Sequence, residues 1–88
     1  MRDNEKYEIY LDNLSSACER RDCLLIRYYH NLLVNIPGYN PDLALKGLQE
    51  AIIEDLGYAR DCAVKRDFWS MKKDLELVRI SINALESN

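Results

Sequence analysis

With 88 residues, 48% of them hydrophobic and 31% charged, and a formal net charge of −3, the chain has the composition of one small globular domain. The apolar content is too high for an intrinsically disordered protein. Arg27 and His30 interrupt the longest apolar run, which excludes the roughly 18 uninterrupted apolar residues of a membrane-spanning helix.

The N-terminal residues and the cysteines indicate a location. Residues 1–8 lack the hydrophobic core of an export signal, so we expect a cytoplasmic protein. Cys18, Cys23 and Cys62 are odd in number and show no framework spacing, whereas a secreted domain of this size usually pairs its cysteines. The sequence therefore predicts free thiols in a reducing compartment.

Residues 5–35 contain neither proline nor glycine, and their apolar residues recur at alternating steps of four and three. The seam comprises Tyr7, Leu11, Leu14, Cys18, Leu25, Tyr28 and Leu32, with Arg21 at its one polar position. This pattern predicts one helix over about residues 5–35. Beyond Cys23, apolar residues occupy most of the circumference, so this half should be buried on more than one side.

A turn should follow. Pro37 and Gly38 suit the two central positions of a type II turn. Asn40 is a good N-cap residue, and Pro41 suits the first position of the next helix. The sequence therefore predicts a Pro-Gly turn near residues 36–41 and a new helix from about residue 42.

The second half carries two apolar stripes that are out of phase by one residue. The first comprises Leu45, Leu48, Ile52, Leu56, Ala59 and Ala63, and the second comprises Val64, Phe68, Met71, Leu75, Val78, Ile82 and Leu85. Either one helix offers two faces, or the chain breaks between Gly57 and Asp67. We expect helices at about 42–60 and 62–86, possibly continuous with each other. A faint similarity between the halves at an offset of 42 residues is of a kind that amphipathic helices often share by chance.

Catalytic, metal and cofactor sites are not indicated, so we predict that the protein is not an enzyme and needs no cofactor. The cysteines lack the spacing of zinc ligands, and the isolated glycines form no phosphate-binding loop. His30 lies among large apolar residues and is expected either to be satisfied by a hydrogen bond or to make an interface sensitive to pH.

Nucleic-acid binding is the alternative function. Basic residues recur along the last predicted helix and could form one face: Lys65, Arg66, Lys72, Lys73 and Arg79. The chain as a whole is acidic, and acidic residues run beside this face. A solvated helix surface with ion pairs explains the pattern equally well.

Protein association is the main hypothesis. Predicted helices of about 45 Å and 65 Å are unequal and would leave an apolar overhang, which a two-fold dimer could cover. The expected interface residues are Leu25, Ile26, Tyr28, Tyr29, Leu33, Trp69, Leu77 and Ile80. The sequence thus predicts an all-α protein: one domain over residues 1–88, forming an antiparallel bundle of two long or three helices, completed by dimerisation. We expect a protein-binding module such as an adaptor, chaperone, inhibitor, immunity protein or accessory regulator.

Overall fold

The structure is a computed structural model that describes residues 3–36 and 43–86. Within these residues the chain forms four helices and no strand: α1 (Asp3–Arg20), α2 (Cys23–Val34), α3 (Leu43–Val64) and α4 (Phe68–Glu86). The predicted all-α fold is confirmed. The Pro-Gly turn predicted near residues 36–41 lies largely outside the described residues.

Each helix packs against two others. α1 contacts α2 and α4, and α3 contacts α4 and α2. The four helices enclose one core, to which all of them contribute, in a molecule with extents of 37 × 23 × 18 Å. The largest side chains at its centre are Leu11, Leu14, Leu33, Ile52, Leu56, Met71, Val78 and Ile82.

The prediction of one helix over residues 5–35 is wrong, because the chain turns at Arg21 and Asp22. Arg21 adopts a left-handed backbone conformation with φ of 56°. Its N–H donates to the carbonyl of Cys18, and the N–H of Asp22 donates to the carbonyl of Ala17. These two bonds form a Schellman motif, which ends a helix. The carboxylate of Asp22 then caps α2 by accepting from the N–H of Leu25 at 3.2 Å.

This turn also changes which face of the following residues is buried. In the uninterrupted helix, Leu25, Tyr28 and Leu32 would continue the core seam. In the structure Ile26, His30 and Leu33 enter the core instead, and Tyr28 is 57% exposed. The two long helices of about 45 Å and 65 Å on which the dimer argument rested are therefore not found among the described helices.

The second turn has the same construction and separates α3 from α4. Arg66 has a φ of 59°, and the N–H groups of Arg66 and Asp67 donate to the carbonyls of Ala63 and Cys62. Asp67 caps α4 by accepting from the N–H and the hydroxyl of Ser70, and these bonds lower the pKa of Asp67. The break falls inside the predicted window, but α3 continues past residue 60 to Val64.

The two turns define an internal repeat of 45 residues, not 42, since Arg66 follows Arg21 and Asp67 follows Asp22 at this interval. In this register the α1–α2 pair corresponds to the α3–α4 pair. Among the described residues, seven pairs of buried apolar positions coincide: Tyr7 and Ile52, Leu11 and Leu56, Leu14 and Ala59, Ala17 and Cys62, Cys18 and Ala63, Ile26 and Met71, Leu33 and Val78. α1 packs on α4 and α3 packs on α2, so the order of helix contacts is the same in both halves.

Glycine should have opposite effects on stability at Arg66, which has positive φ, and at Lys65, which does not. Arg66→Gly should raise the free energy of unfolding by about 0.5–1 kcal/mol, because glycine adopts positive φ without the steric cost of a side chain. Lys65→Gly, one residue earlier, removes the same charge at a residue with negative φ and should lower stability. Urea denaturation followed by circular dichroism measures both. Equal losses in the two variants would contradict this account of the turn.

Candidate interaction surfaces

A cleft with a volume of about 440 Å³ lies between α2 and the C-terminal end of α3. We call it the cationic cleft. Its polar walls include Arg27, His30, Asn31, Arg60 and Arg66. Ile26, Ala63 and Val64 supply apolar surface, and no carboxylate lines it. None of the three arginines makes an ion pair with a described residue.

His30 is the most constrained polar group of the cleft. The side chain is 6% exposed, and neither ring nitrogen has a hydrogen-bond partner among the described residues. Burial lowers the pKa of His30, and the Arg60 guanidinium lowers it further. The Asn31 side chain and the Leu56 backbone lie nearby and oppose this lowering in part, without making a hydrogen bond of good geometry. The imidazole is therefore neutral at neutral pH.

A second groove lies between α1 and α4, at the place that the 45-residue repeat makes equivalent to the cationic cleft. We call it the balanced groove, and its volume is about 100 Å³. Its residues include Ser15, Cys18, Glu19, Lys72, Leu75 and Glu76. In order, they correspond to Arg60, Ala63, Val64, Arg27, His30 and Asn31 of the cationic cleft.

The charges of the balanced groove are compensated within the protein. Arg79, which also lines it, pairs with Asp12 at 2.6 Å. Lys72 shares the groove with Glu19 and Glu76. Arg21, the counterpart of Arg66, lies 5.7 Å from the centre of the Phe68 ring in a cation–π contact.

The two grooves therefore occupy equivalent positions of the repeat and differ in charge. The two glutamates of the balanced groove are replaced by Asn31 and Val64 in the cationic cleft, and the buried leucine is replaced by His30. Cys23 stands where Phe68 would cover Arg66. The cationic cleft therefore has no residue equivalent in charge or aromatic character to Glu19, Glu76 and Phe68.

The predicted interface residues are divided by the structure. Ile26 and Leu33 are 3% and 1% exposed and belong to the core, so they cannot form an interface of the folded chain. Leu25 and Tyr29 are partly buried against the core. Exposed are Tyr28 on α2, whose ring meets that of Tyr29 edge to face, and Trp69, Leu77 and Ile80 on α4.

The exposed apolar residues of α4 share one face. Trp69, Leu77 and Ile80 are 71%, 54% and 64% exposed. With Lys73 and Ala84 they follow steps of 4, 4, 3 and 4 on the side of α4 opposite its core residues. The Lys73 ammonium lies 5.3 Å from the centre of the Trp69 ring. We call this row the α4 stripe.

The predicted basic face is not one surface. Lys72 and Arg79 line the balanced groove, Lys73 lies over Trp69, and Arg66 lines the cationic cleft. Lys65 is exposed in the connection between α3 and α4. Because the five residues point to different neighbours, they do not present the continuous basic patch that a nucleic-acid backbone requires.

Asp74 is a second buried polar group, on α4 where it packs against α3. It is 5% exposed, and its Oδ2 has no hydrogen-bond partner among the described residues. Burial and the neighbouring Asp55 carboxylate raise the pKa of Asp74 to about 6, although the Ala59 backbone opposes this. The repeat places Tyr29 at the equivalent position, so the framework itself does not require a carboxyl group here.

The thiols and the wider set of ligand-type residues form no further site. Cys18 and Cys62 are buried, Cys23 is exposed, and all three are free. Burial raises the pKa of both Cys18 and Cys62, which keeps them protonated. Among the described residues no three histidine, cysteine or carboxylate side chains are grouped for a metal ion. No described helix has the length and apolar character needed to cross a bilayer.

Comparison with known proteins gives no family. No protein-family model, curated protein or solved structure matches the chain. The features of the described structure that bear on function are the cationic cleft, the α4 stripe and the differences between the two halves.

His30→Leu, which copies Leu75 of the second half, should raise the free energy of unfolding at neutral pH by about 1 kcal/mol, because it removes a buried polar ring without partners. The folded state binds the His30 proton less readily than the unfolded state, so wild-type stability falls as pH drops below the unfolded pKa of 6.5. The variant should lack this part of the acid destabilisation. Thermal and urea unfolding between pH 5 and 8 test it. A less stable variant would show that His30 is held by contacts that the leucine cannot replace.

Asp74→Asn should raise the free energy of unfolding above pH 7 by about 1 kcal/mol and have little effect near pH 4. The folded state keeps the Asp74 proton up to about pH 6, whereas the unfolded state loses it near 3.8. The stability associated with the protonated group is therefore present at low pH and is lost as pH rises through 6. Urea denaturation at both pH values measures the difference. Asp61→Asn, which makes the same substitution at an exposed site on α3, is the control.

Proposed function

We propose that the protein is a non-enzymatic, helical interaction module that self-associates through the α4 stripe and acts stoichiometrically on other molecules. In this proposal the four helices form an antiparallel bundle whose halves are joined by the Pro-Gly turn, and two copies pair across α4. An adaptor, chaperone, inhibitor, immunity protein or accessory regulator would work in this way. The cytoplasm is the compartment that suits its free thiols.

The observation that carries the proposal is the row of exposed apolar residues on α4. Single exposed apolar residues are common on protein surfaces, but several on one helix face mark an interaction site. Trp69 is 71% exposed, and tryptophan is among the residues most often found as an interface anchor. Lys73 supplies the one charge of the stripe, and its position over the Trp69 ring leaves its stem available for packing.

The order of residue sizes along the stripe favours a second copy as the occupant. The largest side chain, Trp69, lies at one end, and the smallest, Ala84, lies at the other. An antiparallel two-fold pairing of α4 with itself places each Trp69 beside the partner's Ala84. Large residues then meet small ones, as close packing of two helices requires. Leu77 falls near the two-fold axis in this arrangement.

No second function is proposed from the basic residues. Their separation onto the balanced groove, the α4 stripe and the cationic cleft leaves no specific observation in favour of nucleic-acid binding. Their neighbours are carboxylates, an aromatic ring and the cleft itself.

Leu77→Asp should convert a dimer to a monomer, because Leu77 lies near the two-fold axis and the two introduced carboxylates would be buried beside each other in the paired surface. Light scattering on a size-exclusion column, over a concentration series, gives the absolute mass. Ile53→Asp is the matched control, since Ile53 is a 49% exposed isoleucine on α3, away from the stripe. This control should remain dimeric. A wild-type monomer at millimolar concentration, or equal dissociation of both variants, would refute self-association through α4.

A further inference from the structure

We propose that the cationic cleft between α2 and α3 binds a small molecule through a multiply charged oxyanion group, of which a phosphate is the type. The site goes beyond self-association, because it lies on α2, α3 and the turn after α3, whereas the stripe lies on α4. The two proposals can therefore fail independently.

The positive charge of the cationic cleft is not compensated by a described carboxylate. Three guanidinium groups line one cleft in a chain of net charge −3, although the protein has 15 carboxylate side chains with which they could pair. None of the three is paired with a described carboxylate. Guanidinium groups bind phosphate and carboxylate oxygens with two parallel hydrogen bonds, so a doubly charged oxyanion would satisfy this set.

The balanced groove is lined by residues at equivalent positions of the repeat, and its cations are accompanied by carboxylates. There Glu19 and Glu76 accompany Lys72, and Phe68 covers Arg21. The cationic cleft carries Val64, Asn31 and Cys23 at the positions of these three neutralising groups. The framework can hold glutamates at the first two positions, as its other copy shows. Their absence from the cleft leaves the negative charge to be supplied from outside.

His30 is a buried polar residue at a position where the other half of the protein has an apolar one. The equivalent residue Leu75 is buried, so a leucine satisfies the packing at this position of the framework. His30 instead places a buried imidazole, with both nitrogens unpartnered, on the wall of the cleft. A buried polar group without a partner is destabilising, and an anion bound in the cleft would favour the protonated imidazole through its charge, without a direct contact to the buried ring nitrogens.

The size and lining of the cleft describe the ligand further. A volume of about 440 Å³ lies in the range of small-molecule sites. Ile26, Ala63 and Val64 give it apolar surface beside the arginines. This combination suits a phosphate ester with an organic group, although free inorganic phosphate shares the same charged chemistry. The two sources are separated by experiment.

The test uses His30, which is the only histidine of the chain and therefore gives a single, self-assigned imidazole signal in NMR spectra. Inorganic phosphate and phenyl phosphate are titrated into the full-length protein, with sodium chloride at equal ionic strength as the reference. We expect saturable shifts of the His30 signal with both phosphates and a rise in its pKa, because a bound anion stabilises the imidazolium against Arg27, Arg60 and Arg66. Tighter binding of phenyl phosphate identifies an ester as the ligand, and equal binding identifies free phosphate.

Variants that copy the balanced groove test the site itself. Asn31→Glu and Val64→Glu, made singly, each install a carboxylate that the other groove has, at exposed positions where the fold is preserved. Each should weaken phosphate binding by about tenfold, because it offers the arginines an internal anion. Ser16→Glu adds the same charge on α1, which does not line the cleft, and should change affinity less than about twofold.

His30→Leu completes the set, with calorimetry as the readout in place of the histidine signal. It should fold as wild type does and bind phosphate several-fold more weakly. The proposal is overturned if phosphate moves the His30 signal no more than chloride does. It is also overturned if Asn31→Glu and Val64→Glu bind phosphate as tightly as Ser16→Glu.

Discussion

A chain that leaves a helix abruptly must provide partners for the carbonyls of the last turn and for the N–H groups of the next helix. This protein meets the requirement twice with the same device. A left-handed arginine ends the first helix of each half, and the following aspartate caps the second. Only two residues intervene between Arg20 and Cys23, so each helix pair has little freedom in its relative placement. The core positions, the two grooves and the exposed α4 stripe all depend on the register that these turns impose.

These two turns explain which features of the fold could be predicted from the sequence and which could not. The all-α fold and most core positions of α3 and α4 could be predicted, because periodic apolar residues without proline specify helices well. The break at Arg21 could not, since a non-glycine residue with positive φ leaves no mark in composition. The turn at Arg21 rotates α2 relative to a continuous helix and so changes its buried face. For this reason the prediction that Ile26 and Leu33 lie at an interface is wrong. The cationic cleft could not be predicted either, because Arg27 is far in sequence from Arg60 and Arg66 and lines the same cleft only where α2 packs against α3.

The two halves of the protein differ in which buried positions carry polar residues, and this difference distinguishes residues needed for packing from residues that packing does not require. Where both halves have apolar residues, such as Leu11 and Leu56, packing explains them. Where one half has a buried polar residue and the other half has an apolar or aromatic one, packing alone does not explain the polar residue. His30 opposite Leu75 and Asp74 opposite Tyr29 are the two buried polar residues of the described chain, and both are differences of this kind. Such positions carry a cost in stability that a purely structural role would not retain, in keeping with the trade-off between stability and function seen at binding sites.

The 45-residue repeat also bears on how this fold can be assembled. Neither helix pair has a full core of its own, because α1 needs α4 and α2 needs α3. Each half therefore stands to the other as one subunit stands to its twin in a two-fold dimer. Two separate copies of one such helix pair would have to associate to build this core, whereas the single chain makes the association intramolecular. The segment joining the halves would supply effective concentration in place of binding affinity.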